Sequence, residues 1–235
     1  MCAMEFLQRI NLGALNAVTY ALYARKYEAP ISCSDMLYLS PQEIQEIPVN
    51  KPSTKVPMIS AVKGGDWDTK TRAVEDDVVY RGFVQRFERN LPWEETAYYD
   101  FMIDRLEEDS LEWQNYHTEA DIEERCSELD RLYEEIKSTG YKSQKDIRET
   151  QKHVSFSNKN RKTSLLPPEM KEIAVDISRN GNFLWAAGMH RLCMAKLIGI
   201  NEIPARVRIR HRKWQHKRDV HLGESDGSSP HPDIP

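Results

Sequence analysis

Four consecutive residues, Gly188-Met189-His190-Arg191, carry the clearest chemical pattern in the chain. They follow the segment NFLWAA and precede the apolar segment LCMAKLI, so they are predicted to lie where a strand ends and a buried helix begins. The start of a helix offers free backbone N–H groups and a partial positive charge. Arg191 can add a planar fork of donors that suits phosphate. The pattern therefore predicts a ligand class, an anion, rather than a reaction. The alternative is that His190 and Arg191 only cap or brace the start of the helix.

A pair of acidic residues follows the dipeptide Gly64-Gly65. Asp66 and Asp68 are two positions apart, so on a strand they share one face. Such carboxylates could hold Mg²⁺ while the phosphates of a nucleotide complete its coordination shell. The alternative is that both side chains accept hydrogen bonds from backbone groups around the glycine turn.

The elements around the four-residue pattern can be predicted from period and turn chemistry. Residues 172–178 alternate apolar and polar side chains, which predicts a half-buried strand, and Asn180-Gly181 predicts a type I′ turn. A helix is expected from about Arg191 to Ile198, with Gly199 as its C-terminal cap.

A basic segment follows that helix. The run IPARVRIR predicts a strand with Val207 and Ile209 inward and its arginines outward. The cations of this strand and of the residues after it would form a nucleic-acid-binding surface under an alternative hypothesis. They are Arg206, Arg208, Arg210, Arg212 and Lys213.

The order strand, hairpin strand, G-x-H-R, helix, Gly, "IP", strand resembles the ParB/sulfiredoxin-like superfamily. The resemblance is best over about forty residues, where partition proteins have a Gly-x-Arg-Arg box and sulfiredoxins have Gly-Cys-His-Arg. It implies that Gly188, His190 and Arg191 contact the phosphates of a nucleotide such as ATP or CTP, with Mg²⁺. Met189 stands where sulfiredoxins have their reactive cysteine, so that chemistry is not expected. In the kinase branch, a glutamate near the position of Glu43 acts as general base; the alternative for Glu43 is a solvated surface position.

The predicted fold is α+β, a small mixed sheet of the ParB/sulfiredoxin type with a helical insertion and an N-terminal helix. The predicted parts are an N-terminal helix (1–30), a core (31–62 and 131–215), an acidic helical insertion (63–130) and a disordered tail (216–235). Within the insertion, Thr118 and Asp121 predict a capping box, and Gly140 is expected to end the helix that follows.

Composition limits the class of protein. The chain has 235 residues and a net charge of −4, which argues against a basic nucleic-acid binder as a whole. Charge is uneven: residues 94–135 contain 16 acidic and 3 basic residues, a net of −13. The four cysteines form no C-x-x-C pair, so a zinc site is unsupported. Neither a signal peptide nor a transmembrane segment is evident, and a cytoplasmic protein is expected.

Three functions fit these patterns. The first is a nucleotide-dependent enzyme, a phosphotransferase or NTP hydrolase, in which Glu43 and Asp66 assist catalysis. The second is a DNA- or RNA-associated protein that uses the basic strand. The third is a non-catalytic module that binds a protein partner.

Overall fold

The computed structural model describes residues 3–23, 26–53, 59–108, 116–150, 167–223 and 231–235. The chain forms two compact units. Unit 1 combines Met1–Val74, Leu165–Gly188 and Asn201–Pro235, and unit 2 combines Glu75–Ser164 and Met189–Ile200. The α+β class predicted from the sequence is confirmed.

Unit 1 is built on a mixed sheet that has seven strands among the described residues. The strands are β1 (Met36–Leu39), β2 (Glu46–Pro48), β3 (Ala61–Lys63), β4 (Thr71–Ala73), β5 (Ile173–Ile177), β6 (Phe183–Ala187) and β7 (Ile203–His211). Their order is β1-β7-β5-β6-β2-β4, and β3 also pairs with β7. Strand β7 is antiparallel to β1 and parallel to β3 and β5, so it is an interior strand with three partners among the described strands.

Unit 1 also contains two α-helices among its described residues. Helix α1 (Ala3–Tyr23) is the predicted N-terminal helix, and helix α7 (Arg212–Gly223) continues directly from β7. The start of α7 holds Trp214 and Gln215, both buried.

Strands β5 and β6 form the predicted hairpin, but the turn between them is not of type I′. That turn requires positive φ at two residues, whereas among the described residues of this loop only Gly181 has positive φ, at 99°. The Gly181 N–H donates to the carbonyl of Ser178 at 3.1 Å, and the Ser178 N–H donates to the carbonyl of Asn182 at 3.0 Å. This is the three-residue hairpin loop, in which one left-handed glycine closes a tight turn.

The predicted half-buried character of β5 is wrong. All five of its residues are buried, including Ala174 and Asp176 on the face expected to meet solvent. Strand β5 has strands on both sides and parallel pairing with β7, and parallel sheets are usually covered on both faces. The alternation of apolar and polar residues in β5 therefore did not predict which of its side chains are exposed.

Unit 2 is helical. Its helices are α2 (Val78–Phe83), α3 (Ala97–Glu107), α4 (Glu119–Thr139), α5 (Gln144–Thr150) and α6 (Met189–Ile198). A π-helical turn at Val84–Glu88 continues α2. Helices α2 and α3 approach closely, because a Cβ placed on Gly82 would lie only 2.3 Å from the Cβ of Tyr98.

The prediction for α4 is confirmed in detail. Thr118 and Asp121 form the capping box, and Gly140 is the C-terminal cap with φ 81°. The apolar stripe expected from the 3.6-residue period is buried. Its members are Ile122, Cys126, Leu129, Tyr133 and Ile136.

An aromatic cluster fills unit 2 beside this stripe. The ring of Phe83 makes edge contacts with those of Phe87, Trp93 and Tyr98, and Phe87 stacks on Tyr133 with ring centroids 3.8 Å apart. Aromatic pairs of this kind add stability beyond the area they bury.

The predicted domain boundaries need correction. Strands β3 and β4 belong to the sheet of unit 1, although the acidic insertion was expected to begin at residue 63. Helix α4 crosses the predicted boundary at 130/131, so residues 131–150 belong to unit 2 rather than to the core. A loop predicted over 150–168 falls mainly at 151–166, outside the described residues.

The predicted disorder of 216–235 is wrong for two parts of that segment. Helix α7 runs to Gly223, and residues 231–235 are anchored on unit 1, while 224–230 lie outside the described residues. Asp233 is 4% exposed and accepts hydrogen bonds from Arg210 and from the Trp214 indole. A polar, proline-rich composition predicted disorder, but the buried ion pair fixes the segment.

Candidate functional site

Gly188 lies between β6 and α6 in a backbone conformation that favours glycine. Its φ is 86°, and an added Cβ would lie 3.1 Å from the Cα of Ile173. Gly188 directly precedes α6 and has no side chain, so it supplies no side-chain cap to the backbone N–H groups of the first turn. The sequence predicts an anion at these N–H groups. Helix α6 begins at Met189, two residues before the predicted start, and the Met189 side chain is buried.

His190 packs among aromatic rings of unit 2. Its Nε2 lies 3.2 Å from the hydroxyl of Tyr98, and its ring centroid lies 5.7 Å from that of Phe83. Burial, together with the nearby positive charges of Arg125 and Arg191, lowers the pKa of His190 to about 3. His190 is therefore neutral near pH 7, and any contact with an anion would not rest on its charge.

The Tyr98 hydroxyl is the hydrogen-bond partner of His190 Nε2. Burial raises the pKa of Tyr98, so the phenol keeps its proton at physiological pH. A protonated phenol can donate to Nε2 of the neutral imidazole, which leaves Nδ1 to carry the imidazole proton. The His190 ring thus has one nitrogen engaged inside unit 2.

Two arginines from different helices act on this histidine. Arg191, in the first turn of α6, donates from Nη1 to the hydroxyl of Tyr141 at 3.2 Å. Arg125, in α4, donates from Nη1 to Glu128 at 3.0 Å. The positive charges of both guanidinium groups lower the pKa of His190. The described structure thus concentrates positive charge at the start of α6, within an otherwise acidic unit.

Arg125 was missed by the sequence analysis, although the sequence contained a signal. It lies three residues after Ile122 and four before Leu129, so it shares their helix face. An arginine within a buried apolar stripe needs a polar neighbour, and this makes it a better candidate than an arginine on the solvent face. The surrounding segment has an excess of acidic residues, which favours a solvated surface over an anion site.

The predicted metal ligands Asp66 and Asp68 are engaged by an arginine. Arg179 donates from Nε to Asp68 Oδ1 at 3.0 Å, and its Nη2 contacts both Asp68 and Asp66. Burial would raise the pKa of Asp68, but hydrogen bonds from Arg179 outweigh it and hold that pKa below its usual value. Among the described residues, no group of three or more His, Cys, Asp or Glu side chains is placed to hold a metal. The pair therefore forms an ion-pair network in unit 1, close to the alternative interpretation of the sequence.

Glu43 has a structural contact that accounts for its position. It lies in a short 3-10 helix, Pro41–Glu43, and its Oε2 accepts a hydrogen bond from the Ser40 N–H at 2.9 Å. Together with the Ser40 side chain this forms a capping box. Glu43 is exposed, and its predicted role as general base stays a prediction.

The predicted basic face of β7 is wrong. Arg206 and Arg210 are buried, and Arg208 is ion-paired with the buried carboxylate of Asp176. Two of the five predicted nucleic-acid contacts, Arg212 and Lys213, are exposed, and they lie on α7 instead of on the strand. The reason is that carboxylates from other parts of the chain meet these arginines: Asp176 pairs with Arg208, and Asp233 pairs with Arg210.

The two units divide the candidate residues. Met189, His190 and Arg191 belong to unit 2 together with Arg125, whereas Glu43, Asp66, Asp68 and Gly188 belong to unit 1. The structure therefore places a histidine and two arginines of the candidate site together in unit 2. A catalytic arrangement that also uses Glu43 or Asp66 stays a prediction.

Comparisons with known proteins leave the family open. No protein-family model, curated protein or solved structure matches this chain. Within the part of the chain that the structure describes, no helix combines the length and the apolar character needed to cross a membrane.

Proposed function

We propose that this protein binds the phosphate group of a nucleotide such as ATP or CTP at the start of α6. The arrangement that carries the proposal is the hydrogen-bonded group at the start of α6, in which His190 contacts the Tyr98 hydroxyl and Arg191 contacts the Tyr141 hydroxyl. The positive charges of Arg125 and Arg191 both act on His190 and lower its pKa. Positive groups gathered at a helix N-terminus suit an anion, since the helix dipole adds to their field.

The chemistry of the cluster favours phosphate over a simple halide. Arginine presents several N–H donors in a plane, which match the oxygens of a phosphate. The hydroxyl of Tyr141 accepts a hydrogen bond from Arg191 at 3.2 Å, which orients that arginine in the first turn of α6. Glu128 offsets part of the charge of Arg125, so Arg191 is expected to supply the larger share of the attraction.

Transfer or hydrolysis of the phosphoryl group is a further step that stays a prediction. Asp66 and Asp68 are bound by Arg179, and a Mg²⁺ ion at these carboxylates would have to replace that arginine. Binding is accordingly the part of the predicted enzyme function that the geometry supports best. The nucleic-acid alternative loses support, because the arginines of β7 are buried or ion-paired.

Thermal unfolding in the presence of nucleotides tests the proposal. We expect ATP or CTP, with or without Mg²⁺, to raise the melting temperature of the wild-type protein, because a ligand that binds only the folded state stabilises it. At a concentration one hundred times the Kd the gain is about 2.7 kcal/mol, or roughly 5–10 °C for a chain of this size. The Arg191→Ala and Arg125→Ala variants should lose most of this rise.

Arg131→Ala is the matched control, because Arg131 is an exposed arginine on the same helix as Arg125. It should keep the wild-type response. Equal nucleotide responses in wild type and Arg191→Ala, or no response at millimolar nucleotide with both proteins folded, would show that the start of α6 is not the binding site.

A further inference from the structure

Arg206 in β7 is a buried arginine with unsatisfied donors. The residue is 5% exposed, and its Nε and Nη1 atoms are buried without a hydrogen-bond partner among the described residues. A buried guanidinium normally has an acidic partner or several acceptors, since an unpaired charge in the protein interior is strongly unfavourable. Arg206 is therefore unusual within unit 1, whose other buried arginines, Arg210 and Arg218, both contact Asp233.

Asp176, the carboxylate whose charge acts on Arg206, already pairs with Arg208. Asp176 is buried, and it accepts hydrogen bonds from Arg208 on both carboxylate oxygens, the one from Nε at 2.9 Å. Its charge reaches Arg206 only as a longer-range attraction. These three groups, two guanidinium groups and one carboxylate, sum to a net charge of +1, and the carboxylate of Asp35, which precedes β1, is exposed to solvent.

Cys33 is the other group whose charge state affects Arg206. It is fully buried, and its thiol donates to Oδ1 of Asn16 at 3.0 Å. Burial raises the pKa of Cys33, although Arg206 acts in the opposite direction. The thiol thus stays protonated near pH 7, so it does not neutralise Arg206.

The direct sheet neighbours of Arg206, Met36 and Ala174, are apolar, whereas the segment that leads into β1 is polar. The sheet register places Arg206 opposite Met36, and the chain just before that residue contains Ser32 and Ser34. The hydroxyls of these serines lie 2.8 Å apart, and Ser34 also accepts from the side chain of Asn16. Hydroxyls can rotate to donate to a new acceptor, which favours a polar ligand at this position.

We propose that Arg206 is the centre of a second anion site, in unit 1, that takes a small oxyanion bearing a carboxylate or phosphate group. One negative charge on the ligand balances the net charge left by Arg206, Arg208 and Asp176. Oxygen acceptors satisfy guanidinium N–H groups directly. Arg206 belongs to unit 1, whereas the start of α6 belongs to unit 2.

Melting temperatures of wild type and Arg206→Met test this site at constant ionic strength, with sodium chloride as reference and inorganic phosphate or acetate as probes. In chloride, Arg206→Met should melt at least as high as wild type, because methionine removes an unneutralised buried charge and keeps much of the side-chain volume. In phosphate or acetate, wild type should gain about 3 °C more than Arg206→Met. A larger gain with one probe would identify the preferred oxyanion. A lower melting temperature of the variant in chloride, together with equal gains in both proteins, would overturn the proposal.

Arginine side-chain NMR provides the site-specific measurement and works if Arg206→Met does not fold. In protein labelled with ¹⁵N-arginine, the Nε–H signal of Arg206, assigned by its loss in Arg206→Lys, should move with saturation as phosphate or acetate is added. The same signal should move in Arg191→Ala, which separates this site from the one at α6. A signal that stays fixed at tens of millimolar of both probes would contradict an anion site at Arg206.

Discussion

Replacing Asp233 by Asn is expected to lower the free energy of unfolding by about 3–5 kcal/mol, the usual cost of leaving a buried charge without its partner. Asp233 is 4% exposed and accepts hydrogen bonds from Arg210, Arg218 and Trp214 through its carboxylate and backbone oxygens. The variant leaves two buried guanidinium groups without a carboxylate. Urea unfolding of both proteins at pH 7 measures the difference.

The acid dependence of the two proteins gives an independent check. Burial would raise the pKa of Asp233, but the charge and hydrogen bonds of Arg210 outweigh it, so this pKa lies below its usual value. The carboxylate therefore stabilises the fold fully above about pH 4 and loses this effect as the pH falls through its folded-state pKa. The difference between wild type and Asp233→Asn should shrink accordingly at low pH.

Asp66→Asn is the control for Asp233→Asn, because Asp66 also contacts an arginine but its side chain is 82% exposed. An exposed ion pair contributes little, so this change should cost less than about 1 kcal/mol. Similar losses in the two variants would mean that the C-terminal segment does not anchor unit 1.

The substitution Gly82→Ala is expected to destabilise the protein by about 3 kcal/mol or more, through overpacking in unit 2. The new Cβ would lie 2.3 Å from the Cβ of Tyr98 and 2.7 Å from its backbone nitrogen, so helices α2 and α3 would have to separate. Because Tyr98 also contacts His190, nucleotide affinity should fall along with stability. Thermal unfolding with and without ATP or CTP measures both effects.

Gly13→Ala is the matched control for Gly82→Ala. Gly13 also lies in a helix, but no other group lies within 4 Å of the position of its added Cβ. Alanine is the better helix former, so this change should stabilise the protein by up to about 1 kcal/mol. If Gly82→Ala were as well tolerated as Gly13→Ala, the close approach of α2 and α3 would be incorrect.

Local elements could be predicted from the sequence because their causes are local. The capping box at Thr118 and Asp121 and the C-terminal cap at Gly140 depend on neighbouring residues alone, and both are present. Apolar spacing also predicted the buried stripe of α4.

What could not be predicted depends on partners distant in the chain. The burial of Arg210 requires Asp233, and the ion pair of Asp68 requires Arg179, 111 positions away. The alternation of β7 predicted an exposed basic face because the sequence does not reveal that Asp176 and Asp233 pair with its arginines. For the candidate site, Arg191 was predicted, whereas Arg125 becomes apparent only when α4 and α6 are placed together in unit 2.

The protonation state of His190, followed by NMR of ¹⁵N-histidine-labelled protein between pH 5 and 8, tests the central claim most directly. Without ligand, His190 should stay neutral throughout this range, since its pKa is lowered to about 3. With saturating ATP or CTP, the phosphate charge should counter Arg125 and Arg191 and raise that pKa, so that His190 becomes partly protonated toward pH 5. A neutral His190 with unchanged ring shifts at saturating nucleotide would contradict phosphate binding at the start of α6.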